Sequence, residues 1–177
     1  KVSQLCVEQA AQLITQLLSL TKGFDQETRS IDLGDVIWKA AKILRSTFPQ
    51  SITIDVAVRP HLHSIAGNTT QLCQLLLNLG LNARDAMPGG GTLMIEASNA
   101  VLDKIASCSS PEAVPGEYVL LSVADTGDGI PADIAARIFE PFFTTKNESR
   151  NTGLGLFAVA EIVKNHKGFI NLSTEPK

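Results

Sequence analysis

Cysteine is scarce and poorly placed for structural chemistry: Cys6, Cys73 and Cys108 are odd in number, far apart and without a Cys-x-x-Cys pair. That excludes a disulfide framework and a zinc knot, and it fits a reducing cytoplasm. His61 and His63 lack a third His or a Cys beside them and read as surface residues. A basic surplus is missing too, with 15 basic against 18 acidic residues and a net charge of −3, so no nucleic-acid footprint exists. No apolar run approaches the roughly 18 residues of a membrane span. The first residues carry no signal-peptide pattern, and neither an internal repeat nor a low-complexity tract occurs. At 177 residues the chain suits one domain with an appended element.

What the sequence does hold is a polar stripe on an apolar helix. Over 71–87, Leu72, Leu75, Leu76, Leu79, Ala83 and Ala86 recur at steps of three and four, the spacing of a buried helix face. Gln74, Asn78, Asn82 and Asp85 run along its border. An amide buried without a partner costs about 1–3 kcal/mol, so this border faces a partner, a ligand or a wet cleft unless it is an ordinary solvated face. Two glycine-rich segments, Asp125-Thr126-Gly127-Asp128-Gly129 and Asn151-Thr152-Gly153-Leu154-Gly155-Leu156, tip the balance towards a polar ligand.

Val2, Cys6, Ala10, Leu13, Leu17, Leu20 and Phe24 keep nearly heptad spacing, so the first helix is expected to pack on other helices. Lys22 and Gly23 supply its stop. Since this seam starts with the first residues, 1–24 reads as the second half of a helical hairpin, and the chain as a fragment. Asp32 caps a second helix with Asp35 in its first turn and Leu33, Val36, Ile37, Ala40 and Leu44 inward, ended by Phe48 and Pro49. Alternation at Ile52, Ile54, Val56 and Val58 marks a strand covered on one side. Asn68 with Gln71 suits a capping-box start to the striped helix, which closes in the turn at Met87-Pro88-Gly89. Strands are expected at 92–100 and 118–124 with a surface loop over 103–116, then a short helix over 131–137. The aromatic run of Phe139, Phe142 and Phe143, a polar stretch at 144–152, a helix over 153–165 and a strand at 169–172 complete the pattern. The fold class is α+β: a two-layer sandwich whose mixed sheet is covered on one face by helices, preceded by a coiled-coil-like helix.

Four segments in order resemble the boxes of one family. Residues 78–86 are similar to the N box, 125–130 to the first glycine box, 139–146 to the F box and 152–156 to the second glycine box of sensor histidine kinase ATP-binding catalytic domains. These belong to the superfamily shared with gyrase, mismatch-repair and chaperone ATPases. The resemblance covers nearly the whole chain, and residues up to Gly23 are similar to the second helix of the dimerisation and phosphoacceptor hairpin. It implies a Bergerat-type fold with 1–24 as the partial hairpin and 25–177 as the catalytic domain, its final strand missing. It further implies ATP and Mg²⁺ as ligands, transfer of the γ-phosphoryl group to a His on a dimerisation helix, and relay to a response regulator receiver domain. A homodimer through the N-terminal helix follows from it, in a cytoplasmic protein that is membrane-anchored or free.

The chemistry of each box agrees. The Asn78 carbonyl is a neutral hard oxygen suited to Mg²⁺, which takes one or two protein ligands and completes its shell with water and phosphate. The resemblance sets Asn82 one turn on beside the phosphates and Asp85 as an orienting group, while Arg84 either neutralises charge or sits on the helix back. Asp125, ionised, only accepts hydrogen bonds and so suits the exocyclic amino group of adenine, though an Asp before Thr-Gly is also a common turn starter. Gly127 and Gly129 let the backbone, with Ile130, approach base and ribose. Thr152, Gly153, Leu154, Gly155 and Leu156 lead into a helix whose free N–H groups and positive dipole end suit polyphosphate, without the Gly-Lys-Ser/Thr of a Walker loop. Lys146 and Arg150 lie on the stretch that reads as a lid, where they pair with phosphate or remain solvated. The three phenylalanines are expected to anchor that lid in the core.

Three departures from the family pattern matter. Gln74 stands where hydrolytic relatives place a Glu base, and Gln takes no proton; an imidazole nucleophile needs no water-activating base, which favours kinase over ATPase. Ser149 and Asn151 replace lid glycines. No His lies in the first helix, so the chain alone is not expected to phosphorylate itself. The rival readings are an ATP-hydrolysing conformational machine and a non-catalytic nucleotide-sensing scaffold.

Overall fold

The computed structural model describes residues 29–102, 113–145 and 152–174. The expected first helix, most of the 103–116 loop, Lys146 and Arg150 lie outside the described residues. Among those described, the order is β1 (Arg29–Ile31), α1 (Leu33–Thr47), β2 (Ile52–Val58), β3 (Ile65–Gly67), α2 (Thr69–Ala86), β4 (Gly91–Leu102), β5 (Gly116–Asp125), α3 (Ala132–Ala135) and α4 (Gly155–Asn165).

The central sheet is mixed, as expected. Its strand order is β2-β4-β5, with β2 parallel to β4 and β4 antiparallel to β5. Ile54 pairs with Leu93 and Val56 with Ile95, so the apolar members of both strands share one face. On that face Ile52, Ile54, Leu93, Ile95 and Ala97 are buried, whereas Thr53, Asp55, Met94 and Glu96 on the other are exposed. Helices cover the first face only, joining Ile37, Leu44, Leu72 and Leu76 to it in one core.

Local chemistry explains the helices that support the cleft. Asp32 caps α1 by accepting from the Gly34 N–H at 2.8 Å, and the five anticipated inward residues of α1 are all buried. Asn68 Oδ1 caps α2 by accepting from Thr70 and Gln71 at 2.9 and 3.1 Å. Against α1, Gly80 of α2 lets the two helices approach closely, since a Cβ there would stand 2.7 Å from Leu44 Cδ2.

Several elements differ from the sequence expectation. The segment 169–172 does not enter the sheet: Phe169 meets Tyr118 of β5 edge-on with ring centroids 5.6 Å apart, and a short apolar run supplies no backbone partner by itself. The helix expected over 131–137 shortens to α3 and continues as turns to Phe139. The helix expected from Gly153 begins at Gly155, because Gly153 takes φ +66°, outside the helical region. A small antiparallel sheet of β1 and β3 is an addition; strands this short leave no readable alternation.

Candidate functional site

A cleft opens along α2, the end of β5, the turn that follows it and the start of α4. It measures about 2090 Å³, more than single ligand pockets usually occupy, because it continues into the space between β5 and the 169–174 segment. The polar stripe of α2 forms one wall. Asn78 is only 9% exposed, deeper than a bordering position, with its Nδ2 donating to the Gly155 carbonyl at 3.3 Å. One turn on, Asn82 Nδ2 is buried with no hydrogen-bond partner, and a Cβ on Gly155 would lie 3.8 Å from it. An orphaned donor of this kind costs about 1–3 kcal/mol unless an acceptor meets it.

Beside that donor, α4 begins without a side-chain cap. Thr152 Oγ1 accepts from the Leu154 N–H at 3.3 Å and shapes the entry, while Leu154 itself is buried. The first N–H groups of α4 therefore stand at the cleft with the positive end of the helix dipole. Gly153, Gly155 and Leu156 line it. Gly153 is obligatory on two grounds: its φ is +66°, and a Cβ would sit 2.4 Å from the Phe142 carbonyl carbon.

At the opposite end, Asp125 closes β5. Its Oδ1 accepts from the Gly127 N–H at 2.9 Å, so one oxygen makes the turn and the other remains available at the cleft. Gly127 packs on the end of α2, where a Cβ would meet Ala86 Cβ and the Ala86 carbonyl at 2.7 Å. The Asp128 N–H donates to that carbonyl at 3.1 Å. The glycine requirement at 127 thus comes from the chain's own helix, and Gly129 adds a left-handed φ of +72°. Ile130 is held by Thr174, whose Oγ1 accepts from the Ile130 N–H at 2.7 Å and donates to its carbonyl at 3.4 Å. Sequence reasoning missed Thr174; no local pattern marks a contact 44 residues away.

The remaining candidates fall into place unequally. Asp85 lines the cleft and pairs with the neighbouring Arg84, whose Nη2 lies 2.7 Å from Asp85 Oδ1. Gln74 is half-buried one turn before Asn78 and is not among the residues lining the cleft. Phe139 and Phe143 are half-buried at the cleft, with the Arg137 guanidinium 4.6 Å over the Phe143 ring. Phe142 departs from the expected anchoring: it is 71% exposed, because its own φ of +65° swings the ring outward and leaves its backbone against Gly153. No described helix is long and apolar enough to cross a membrane.

The arrangement offers a hydrogen-bond acceptor at one end and an amide oxygen, an orphaned amide donor and free helix N–H groups at the other. Those groups fit an amino-bearing base and a metal-bound polyphosphate. Residues 67–177 match the family described as "Histidine kinase-, DNA gyrase B-, and HSP90-like ATPase". The chain is 36% identical to sensor kinase CckA of Brucella abortus, over 94% of this chain and 18% of that protein. With sensory histidine kinase/phosphatase NtrB of Azospirillum brasilense it shares 31% identity, over 99% of this chain and 44% of that protein. The chain therefore spans less than half the length of these curated relatives. Among solved structures, histidine kinase ThkA in complex with response regulator protein TrrA shares the fold at a TM-score of 0.61 and 19% identity, over 92% of this chain and 43% of that one.

Proposed function

Because the chain belongs to the histidine kinase-, DNA gyrase B- and HSP90-like ATPase family, we propose that it is the catalytic part of a two-component sensor histidine kinase. In this reading residues 25–177 bind Mg²⁺-ATP, and residues 1–24 complete a dimerisation hairpin. The γ-phosphoryl group passes to a His on that hairpin and then to the receiver domain of a response regulator, the kind of partner with which ThkA is associated. The protein acts as a homodimer in the cytoplasm.

The observation that carries most weight is the buried, unpartnered Asn82 Nδ2 beside the uncapped start of α4. A phosphate oxygen satisfies both at once. Asn78 contributes its carbonyl oxygen to Mg²⁺, its nitrogen already being engaged on Gly155. When bound, the ion neutralises phosphate charge and polarises the transferred group. Asp125 accepts the adenine amino group with the oxygen that the Gly127 turn leaves over, which selects adenine over guanine. Gly127, Gly129 and Ile130 face base and ribose, while Thr152, Gly153, Leu154, Gly155 and Leu156 set the phosphate end. Asp85 orients neighbouring groups, with Arg84 balancing its charge. Lys146 meets the β- or γ-phosphate. Gln74, which takes no proton and stands outside the cleft lining, supplies no base to activate water, which suits transfer to an imidazole.

Calorimetric titration with Mg²⁺-ATP tests the site. Replacing Asn78→Asp or Asp125→Asn is expected to weaken binding by about tenfold or more, the loss of one well-made contact to a charged or desolvated group. Unchanged affinity in both variants would overturn the site assignment. The enzymatic reading is tested by restoring the upstream helix and assaying acid-labile phosphate on its His.

A further inference from the structure

His166, the residue that follows α4, is bonded on both ring nitrogens. Its Nδ1 lies 2.7 Å from the Ile162 carbonyl, which can only accept, so Nδ1 carries the proton. Its Nε2 lies 3.0 Å from the backbone nitrogen of Asn68, which can only donate, so Nε2 is bare. The two bonds together select one neutral tautomer. The ring fits where Gly67 has no side chain, since a Cβ there would stand 2.3 Å from Cδ2 and 2.4 Å from Nε2. Asn68 is also the residue whose side chain caps α2.

The consequence appears at the other end of α4. There the Gly155 carbonyl accepts from Asn78 of α2. Asn68 to Asn78 spans about 15 Å of helix rise and Gly155 to His166 about 16.5 Å, so α4 is tied at both of its ends to the first half of the antiparallel α2 over matching lengths. A shift of α4 along α2 must break the His166 bond, and the same shift moves the α4 N–H groups relative to Asn78 and Asn82.

We infer that His166 is a positioning residue for phosphate binding, holding α4 in axial register with the asparagines of α2 from the far end of the helix. This rests on the nucleotide reading above. It concerns the phosphate end alone; the Asp125 end is built on the join between α2 and β5, which His166 does not touch.

The test compares Mg²⁺-ATP with adenosine, which lacks the phosphates, in titrations of the whole chain. In His166→Leu, ATP affinity should fall about five- to tenfold relative to adenosine affinity, the scale of one lost positioning bond. His166→Gln, whose side-chain oxygen reaches the place of Nε2, should restore the parent ratio. Gly67→Ala, which displaces the ring from the opposite side, should reproduce the His166→Leu effect. A lower thermal midpoint in His166→Leu with an unchanged ATP-to-adenosine ratio would overturn the inference, and so would a Gln variant as impaired as the Leu one. The imidazole nitrogen NMR spectrum of the parent, which requires no nucleotide, should show the Nδ1-protonated tautomer; the other tautomer would also overturn it. Failure of the parent itself to bind ATP would remove the nucleotide reading and this inference with it, and that outcome is visible before any variant is made.

Discussion

Replacing Asn82 with leucine separates what the site needs from what the fold needs. Asn82 Nδ2 is buried without a partner, so the ligand-free protein carries a desolvated donor. Such a group costs about 1–3 kcal/mol, whereas an apolar group of the same shape leaves no donor behind. Leucine matches asparagine closely in branching, and Leu79 and Ala83 already line the cleft beside it. Without nucleotide, Asn82→Leu is therefore expected to match the parent or gain up to about 2 kcal/mol, which for a chain of this size raises the thermal midpoint by about 4–8 °C. With nucleotide the parent gains more. Ligand at a hundred times the parent's dissociation constant stabilises the parent by about 2.7 kcal/mol, and a site weakened about ten- to a hundredfold should keep only about 0.4–1.4 kcal/mol of that increment in the variant. Scanning calorimetry of both proteins, with and without Mg²⁺-ATP, reads all four values. A variant less stable than the parent by more than about 1 kcal/mol without ligand, yet shifted by ATP as fully as the parent, would show that the donor is satisfied in the free fold and refute the reasoning.

Gly153→Ala combines a left-handed φ with a Cβ 2.4 Å from the Phe142 carbonyl carbon, and a loss of about 1–3 kcal/mol or more in urea denaturation is expected; a loss below about 0.5 kcal/mol would mean the turn relaxes freely. Burial raises the Cys73 thiol above its ordinary pKa, with Lys39 opposing, so alkylation of the folded chain by iodoacetamide near pH 8 should be slower than that of an unfolded control. The sign follows for stability: the folded form disfavours the thiolate, so this contribution is complete below the unfolded pKa and is lost as pH rises through the raised folded value. A Cys73→Ala variant should lack that alkaline component in its denaturation profile.

Helices were the most legible part of the fold, because their determinants are local. Asp32 and Asn68 reach donors two or three residues away, and the inward set of α1 follows from 3.6-residue spacing alone. The candidate site was legible as boxes for the same reason: Asn78 with Asn82, and Gly153 with Gly155, sit at fixed short spacings, and the meeting of the two pairs at the start of α4 is what the spacing cannot display. Long-range partners were hidden. The His166 bond to Asn68 joins residues 98 apart, and the Thr174 bond to Ile130 joins residues 44 apart. Phe142 misled because hydrophobicity argues for burial, whereas its outward ring is dictated by backbone geometry and the neighbouring Gly153. The segment 169–172 misled because a short apolar run does not itself supply a hydrogen-bonding neighbour.

The contact of Gly127 with Ala86 bears on how such sites can be recombined. The base-side loop and the last turn of α2 have no room between them for even one added methyl group, so positions 86 and 127 behave as a single unit split across 41 residues of sequence. A loop grafted from a relative would carry its specificity across only if its own residue 86 travelled with it. Moving this loop between such proteins is therefore a two-segment operation, and a chimera that moves the loop alone sets it against a helix end it was not shaped to meet.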